Sequence, residues 1–165
     1  MRLAFADPPY LGCCNLYNHF HGDDDRCWDD IETHASLFAR LNEYDGWVYC
    51  CTSPSLGTLL PYAPPHRIAA WVKPFAAFKA NVRIAYTWEP VLFSPARDRS
   101  ADGAAVGRDH LAEPITLRKG LTGAKPQRFC RWTLDLMGYV QGDEVDDLYP
   151  GTGIMGRVVA QGRLL

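Results

Sequence analysis

Leu3-Ala4-Phe5-Ala6-Asp7-Pro8-Pro9-Tyr10 sets a short apolar run against an acid and two prolines. Proline has no N–H for a sheet ladder, so the run reads as a strand that stops at Asp7. The same strand-then-break pattern recurs along the chain. Trp47-Val48-Tyr49-Cys50-Cys51 follows the Asp45-Gly46 break and reads as a second, buried strand. Arg67 to Val72, stopped by Lys73-Pro74, is a third. Thr87 to Phe93 is a fourth, and its Pro90 argues for an edge or a bulge. Glu144 to Leu148 is the last, turning through Tyr149-Pro150-Gly151-Thr152-Gly153 into a C-terminal helix.

Helical signals fall between these runs. Ile31, Ala35, Phe38 and Leu41 recur at helical spacing, with Asp29 and Glu32 as a capping box, so residues 30–43 are predicted helical. Thr52-Ser53-Pro54 reads as the start of a short helix reaching about Leu60. Phe129, Trp132, Thr133, Leu136 and Met137 mark a helix from about Pro126, ended by Gly138 and Gly142. Residues 95–124 show no period and are read as one long loop. Strands alternating with helices predict an α/β chain: a Rossmann-like, mainly parallel sheet with helices on both faces. Ligands of such sheets bind at the carboxyl ends of the strands. Asp7, Thr52-Ser53 and Gly151 each follow a predicted strand directly, so they are expected along one rim.

The bulk numbers fit that reading. A length of 165 residues favours a single domain over 1–165, and 47% apolar with 22% charged residues is ordinary for a globular chain. No apolar run approaches the about 18 residues of a membrane span, and the N-terminus has no signal-peptide apolar region. A cytoplasmic location is expected. The six cysteines form no C-x-x-C pair, so buried free thiols are expected rather than zinc. His19, His21 and Asp23-Asp24-Asp25 read as a solvated polar loop rather than a metal site. Ser53 lacks the G-x-S-x-G elbow of a hydrolase. The net charge of −2 is unevenly spread: residues 1–45 hold three Arg/Lys against nine Asp/Glu, and residues 95–131 hold eight against four. Arg97, Arg99, Arg108, Arg118 and Lys119 in that basic stretch are candidate phosphate contacts, giving affinity without sequence reading.

Two motifs carry chemistry. In Asp147-Leu148-Tyr149-Pro150-Gly151-Thr152-Gly153, glycines at a strand-to-helix turn let backbone approach a ligand closely. Asp7-Pro8-Pro9-Tyr10 is the second. Together they resemble the amino-methyltransferases of DNA, and their order resembles the beta group, in which the catalytic D-P-P-Y precedes the glycine-rich cofactor motif. Lys125-Pro126 is similar to the family's K-P cofactor-contacting segment, and Trp88-Glu89-Pro90-Val91-Leu92 resembles a strand of phage-type members.

The resemblance implies a methyltransferase that moves the methyl group of S-adenosyl-L-methionine to the N6 amino group of adenine in DNA. It makes Asp7, Pro8, Pro9 and Tyr10 the catalytic motif. Asp7 and the Pro8 carbonyl accept the two amino N–H bonds, and Tyr10 stacks on a base brought out of the helix. It makes Asp147, Tyr149, Gly151, Thr152, Gly153, Lys125 and Pro126 the cofactor site. Twelve residues follow Gly153, so a truncated class I methyltransferase fold is expected, without the family's second and third strands. The alternatives are an RNA adenine methyltransferase and a non-catalytic, nucleic-acid-binding partner subunit. A bare edge strand is a route to a homodimer.

Overall fold

The computed structural model describes residues 1–13, 27–75, 82–97, 106–116 and 124–162. The expected cluster of His19, His21 and Asp23 to Asp25 lies outside them. In chain order the elements are β1 (Arg2–Ala6), α1 (Ile31–Leu41), β2 (Gly46–Cys50), α2 (Leu56–Leu59), β3 (Arg67–Val72), β4 (Trp88–Ser94), β5 (His110–Ala112), α3 (Gln127–Met137), β6 (Glu144–Asp147) and α4 (Ile154–Ala160). A 3-10 turn, Leu60–Tyr62, extends α2.

The six strands form one sheet in the order β5-β3-β4-β2-β1-β6. β1 pairs in parallel with both β2 and β6, and β3 with β5, whereas β4 is antiparallel to β2 and to β3. Five strands therefore run one way, and β4 alone runs back. The expected Rossmann-like, mainly parallel α/β sheet is present, with helices on both faces. One face packs Leu3, Phe5, Val48 and Phe93 against Phe129, Met137, Met155 and Val158 of α3 and α4. The other packs Ala4, Trp47, Tyr49 and Leu92 against Leu37, Phe38 and Leu41 of α1 and Leu59 of α2. Alternation of side chains along each strand sends odd and even residues to opposite cores.

Four local expectations are corrected. The cap of α1 is Asp30, whose side chain accepts from Glu32 N at 3.1 Å. Asp29 instead accepts from Gly12 N at 2.8 Å and ties down the chain after the first strand. The short helix starts at Leu56 rather than near Pro54, because Thr52 Oγ1 and Ser55 Oγ pair at 2.9 Å in a turn that precedes it. β4 is interior rather than an edge. Its Pro90 is tolerated because the Pro90 carbonyl faces Cys51 N, on the side where the β2 ladder ends, so no β3 bond is lost. Finally, the long stretch 95–124 contains β5, held to β3 by Ala70 N to Asp109 O at 2.9 Å and Glu113 N to Val72 O at 3.0 Å. Three residues with no period are too few to announce a strand in sequence.

Among the described residues five cysteines are free, and Cys50, Cys51 and Cys130 are buried. Burial pushes the Cys51 and Cys130 thiols up to about 12. No helix of the described residues is long and apolar enough to cross a membrane. Buried Gly46 at the start of β2 has no room for a side chain: a Cβ there would sit 2.7 Å from Ala96 N and 2.8 Å from Ala96 Cβ. Gly46→Ala should therefore destabilise the fold by about 1–3 kcal/mol, the usual cost of overpacking, as measured by urea denaturation.

Candidate functional site at the carboxyl rim

The neighbouring parallel strands β1 and β6 bring the two motifs together. Phe5 lies opposite Asp147, and Leu148 N donates to Phe5 O at 3.0 Å. Asp7 and the turn from Asp147 to Gly153 therefore leave adjacent strands at the same end, although 140 residues separate the two aspartates. Gly151 and Gly153 adopt positive φ, +44° and +68°, which glycine reaches at no steric cost. Cys51 and Thr52 follow β2 at the same rim.

Asp7 sits in a network of charges. Lys125 Nζ donates to Asp7 Oδ1 and to the Tyr10 hydroxyl, both at 2.8 Å. The Tyr10 hydroxyl lies 3.2 Å from Asp7 Oδ1 and 3.0 Å from Glu89 Oε2. The other Glu89 oxygen, Oε1, accepts from Lys73 Nζ. Lys125 is nearly enclosed, with 6% of its side chain exposed, and its ammonium stands 5.1–5.8 Å from the ring centres of Tyr10, Trp71 and Phe129. Burial works against that charge, but Asp7 and Glu89 outweigh it, and the net effect holds the ammonium above its ordinary range. Both donors converge on Oδ1, so among the described residues Asp7 Oδ2 accepts no hydrogen bond. The Pro8 carbonyl likewise accepts none among them.

The rim thus holds two paired acids, Asp7 and Glu89, and a third, Asp147, with no cationic partner among the described residues. Asp147 receives a 3.4 Å hydrogen bond from Tyr149 N. Burial, with a smaller contribution from Asp7, pushes its carboxyl up to about 6. A cation arriving beside Asp147 would reverse that shift. The wall behind the turn is aromatic: Tyr149 meets Trp28 edge to face at 5.2 Å, and Trp28 O pairs with His34 Nε2 at 2.8 Å. Tyr49 OH and His34 Nδ1 pair at 2.7 Å, and burial lowers the His34 pKa. A neutral ring donating from Nε2 and accepting at Nδ1 satisfies both contacts.

Of the residues singled out in the sequence, Asp7, Pro8, Pro9, Tyr10, Lys125 and Pro126 gather at this rim with Asp147, Tyr149, Gly151, Thr152 and Gly153. Lys125, assigned to the cofactor side, lies against Asp7 itself. Tyr10, assigned to stacking, is a residue only 7% exposed and turns its hydroxyl into the charge network. Arg97 and Arg108 lie at the opposite rim, around a cavity of about 610 Å³ that Arg67, Phe93 and Trp132 also line. There Arg97 holds Asp143 in a two-pronged ion pair, with Nη2 2.7 Å from Oδ1, and also donates to Gly138 O. Arg99, Arg118 and Lys119 lie outside the described residues. Glu89 and Lys73 were not read as site residues. The period-2 signal was available, because Glu89 shares its strand face with Val91 and Phe93 and so points at the α3 core.

No family model matches the chain, and no curated protein matches it. Sixteen chains of solved structures do. One is the crystal structure of an M1.HpyAVI–SAM complex, with a TM-score of 0.61 and 16% identity over 97% of this chain and 78% of that one. At that identity the likeness is one of fold: the chain shares the α/β architecture of M1.HpyAVI.

Two outcomes follow for stability. The Arg97 guanidinium, with the Val140 N–H, holds the Asp143 carboxyl well below the ordinary aspartate range. A depressed acid stabilises the fold above its unfolded pKa and loses that contribution as pH falls. Urea midpoints should therefore drop below about pH 4, and drop less in Arg97→Ala. Asp147 has the opposite sign. Its raised pKa makes stability fall as pH rises from about 4 to about 6, so Asp147→Asn should gain about 1 kcal/mol at pH 7, a value cut for partial solvent exposure.

Proposed function

We propose that the chain is an S-adenosylmethionine-dependent methyltransferase acting on the N6 amino group of adenine in DNA. The observation that carries this reading is that the Asp7-Pro8-Pro9-Tyr10 turn and the Asp147–Gly153 turn leave adjacent parallel strands at one rim, with no donor to Asp7 Oδ2 or the Pro8 carbonyl among the described residues. The fold likeness to a protein crystallised with SAM points the same way.

The residues present fit such a cofactor. Asp147 is a half-buried carboxylate whose raised pKa would be relieved by an ammonium group, and the cofactor carries one. Gly151 leaves room at the turn, since a Cβ there would meet nothing nearer than Tyr149 O at 3.8 Å, while Arg157 Nη1 lies 3.6 Å from where a Cβ at Gly153 would sit. When bound, S-adenosylmethionine supplies an electrophilic sulfonium methyl group. Tyr149, Thr152 and Pro126 border its place in this reading.

The chain's own residues then do the orienting. An amino group on adenine is a poor nucleophile, because its lone pair is delocalised into the ring. Asp7 Oδ2 and the Pro8 carbonyl accept its two N–H bonds and favour a pyramidal nitrogen with its lone pair directed outward. Two buried prolines hold that backbone before reaction begins. Once methylated, the nitrogen would be cationic, and Asp7 would receive its released proton along the same hydrogen bond. Lys125 holds the Asp7 carboxylate in place as the acceptor, and a site at the rim of the sheet requires a base outside the double helix.

The test is incubation with labelled cofactor and mixed-sequence DNA, digestion to nucleosides, and a parallel arm with single-stranded RNA. Labelled N6-methyladenine from DNA is the expected product. Label in RNA alone would change the substrate, and no label despite one-to-one cofactor binding by calorimetry would refute the reading. Asp7→Ala should cut turnover by about 100-fold or more while cofactor affinity stays within about twofold. Gly151→Val, forced into positive φ and projecting into the open turn, should abolish cofactor binding in the same calorimeter.

A further inference from the structure

We infer that Glu89 is a positioning residue for Asp7, acting through the Tyr10 hydroxyl; its part in turnover rests on the methyl-transfer reading. A phenol hydroxyl has one proton and its lone pairs. Tyr10 has three polar neighbours in the network: Lys125 Nζ at 2.8 Å, Glu89 Oε2 at 3.0 Å and Asp7 Oδ1 at 3.2 Å. An ammonium only donates, so Lys125 takes a lone pair of the hydroxyl. The single phenol proton is left between two carboxylates, and Glu89 is the nearer.

That choice matters at Asp7. With the proton on the Glu89 side, Lys125 is the chief donor to Oδ1, and Oδ2 keeps its full strength as an acceptor. Without the Glu89 charge, the phenol proton turns to Asp7. Oδ1 then takes a second donor, and the charge available at Oδ2 falls. Lys125 loses one of the two carboxylate charges that favour its ammonium. The two Glu89 oxygens have separate tasks: Oε1 accepts from Lys73, which orients the carboxylate, and Oε2 faces Tyr10. Glu89 can reach the rim because β4 is the reversed strand, so its N-terminal end lies beside the carboxyl ends of its neighbours.

A merely structural Glu89, needed only to neutralise Lys73, would behave differently in a double-mutant cycle. The full chain is made as wild type, Glu89→Gln, Tyr10→Phe and the double variant, with Glu89→Asp as a second probe should Glu89→Gln not fold. Single-turnover methylation of an adenine-containing oligonucleotide is expected to slow about tenfold or more in Glu89→Gln, with cofactor Kd within about twofold. The double variant should be no slower than the slower single variant, because both break one contact. Multiplicative losses would overturn the inference. Independently of turnover, 15N spectra should show Lys125 ammonium protons exchanging about tenfold faster in Glu89→Gln, as expected when a charged hydrogen-bond network loses a member. Unchanged exchange would also overturn it. A wild type that transfers no methyl group refutes the methyl-transfer reading, while the exchange measurement still decides whether Glu89 holds the network.

Discussion

The parallel pairing of β1 with β6 is the contact on which the rest depends. It joins Leu3 to Val145 and Phe5 to Asp147 across almost the full length of the chain. Parallel strands need a long crossover, and here the crossover is nearly the whole protein. The pairing aligns two strand ends, and therefore two carboxylates, on one rim. Neither Asp7 nor Asp147 makes a site alone. Side by side, one is paired with a buried ammonium, and the other has no cationic partner among the described residues.

Charge compensation explains why the rim tolerates so much buried polarity. Lys125 is enclosed by aromatic rings, and a bare ammonium there would be expensive. Asp7 and the Tyr10 hydroxyl supply its hydrogen-bond partners, the Glu89 charge favours it through space, and Lys73 balances that second carboxylate. Breaking a buried ion pair from one side typically costs about 3–5 kcal/mol, because a lone charge is left behind. The network is therefore rigid as well as polar. Its asymmetry is the chemically useful feature: Lys125 donates to Asp7 Oδ1, while among the described residues nothing donates to Oδ2 or to the Pro8 carbonyl.

The reversed strand β4 contributes by direction rather than by motif. Every other strand presents its carboxyl end at the rim, and β4 presents its amino end. Glu89, one residue into the strand, thereby enters a site otherwise built from residues that follow strands. The opposite rim has a different character. Arg97 and Asp143 close it as a structural ion pair, and the cavity with Arg108 lies a full strand length from Asp7.

Much of this was legible in the residues alone. Short apolar runs stopped by Asp-Pro-Pro or Lys-Pro, and period-3.6 runs closed by Gly138, specify strands and helices through local sterics and burial. They therefore place Asp7 and Asp147 at strand ends. Three things needed the folded chain: β5, too short to show a period; the interior place of β4, which Pro90 argued against; and the partnership of Glu89, Tyr10 and Lys125. Hydrogen bonds between residues 79 and 115 positions apart leave no local trace, because their geometry is set by which strands pair and in which direction. That pairing is decided by how two apolar faces are jointly covered, a property of the whole chain and of no single stretch of it.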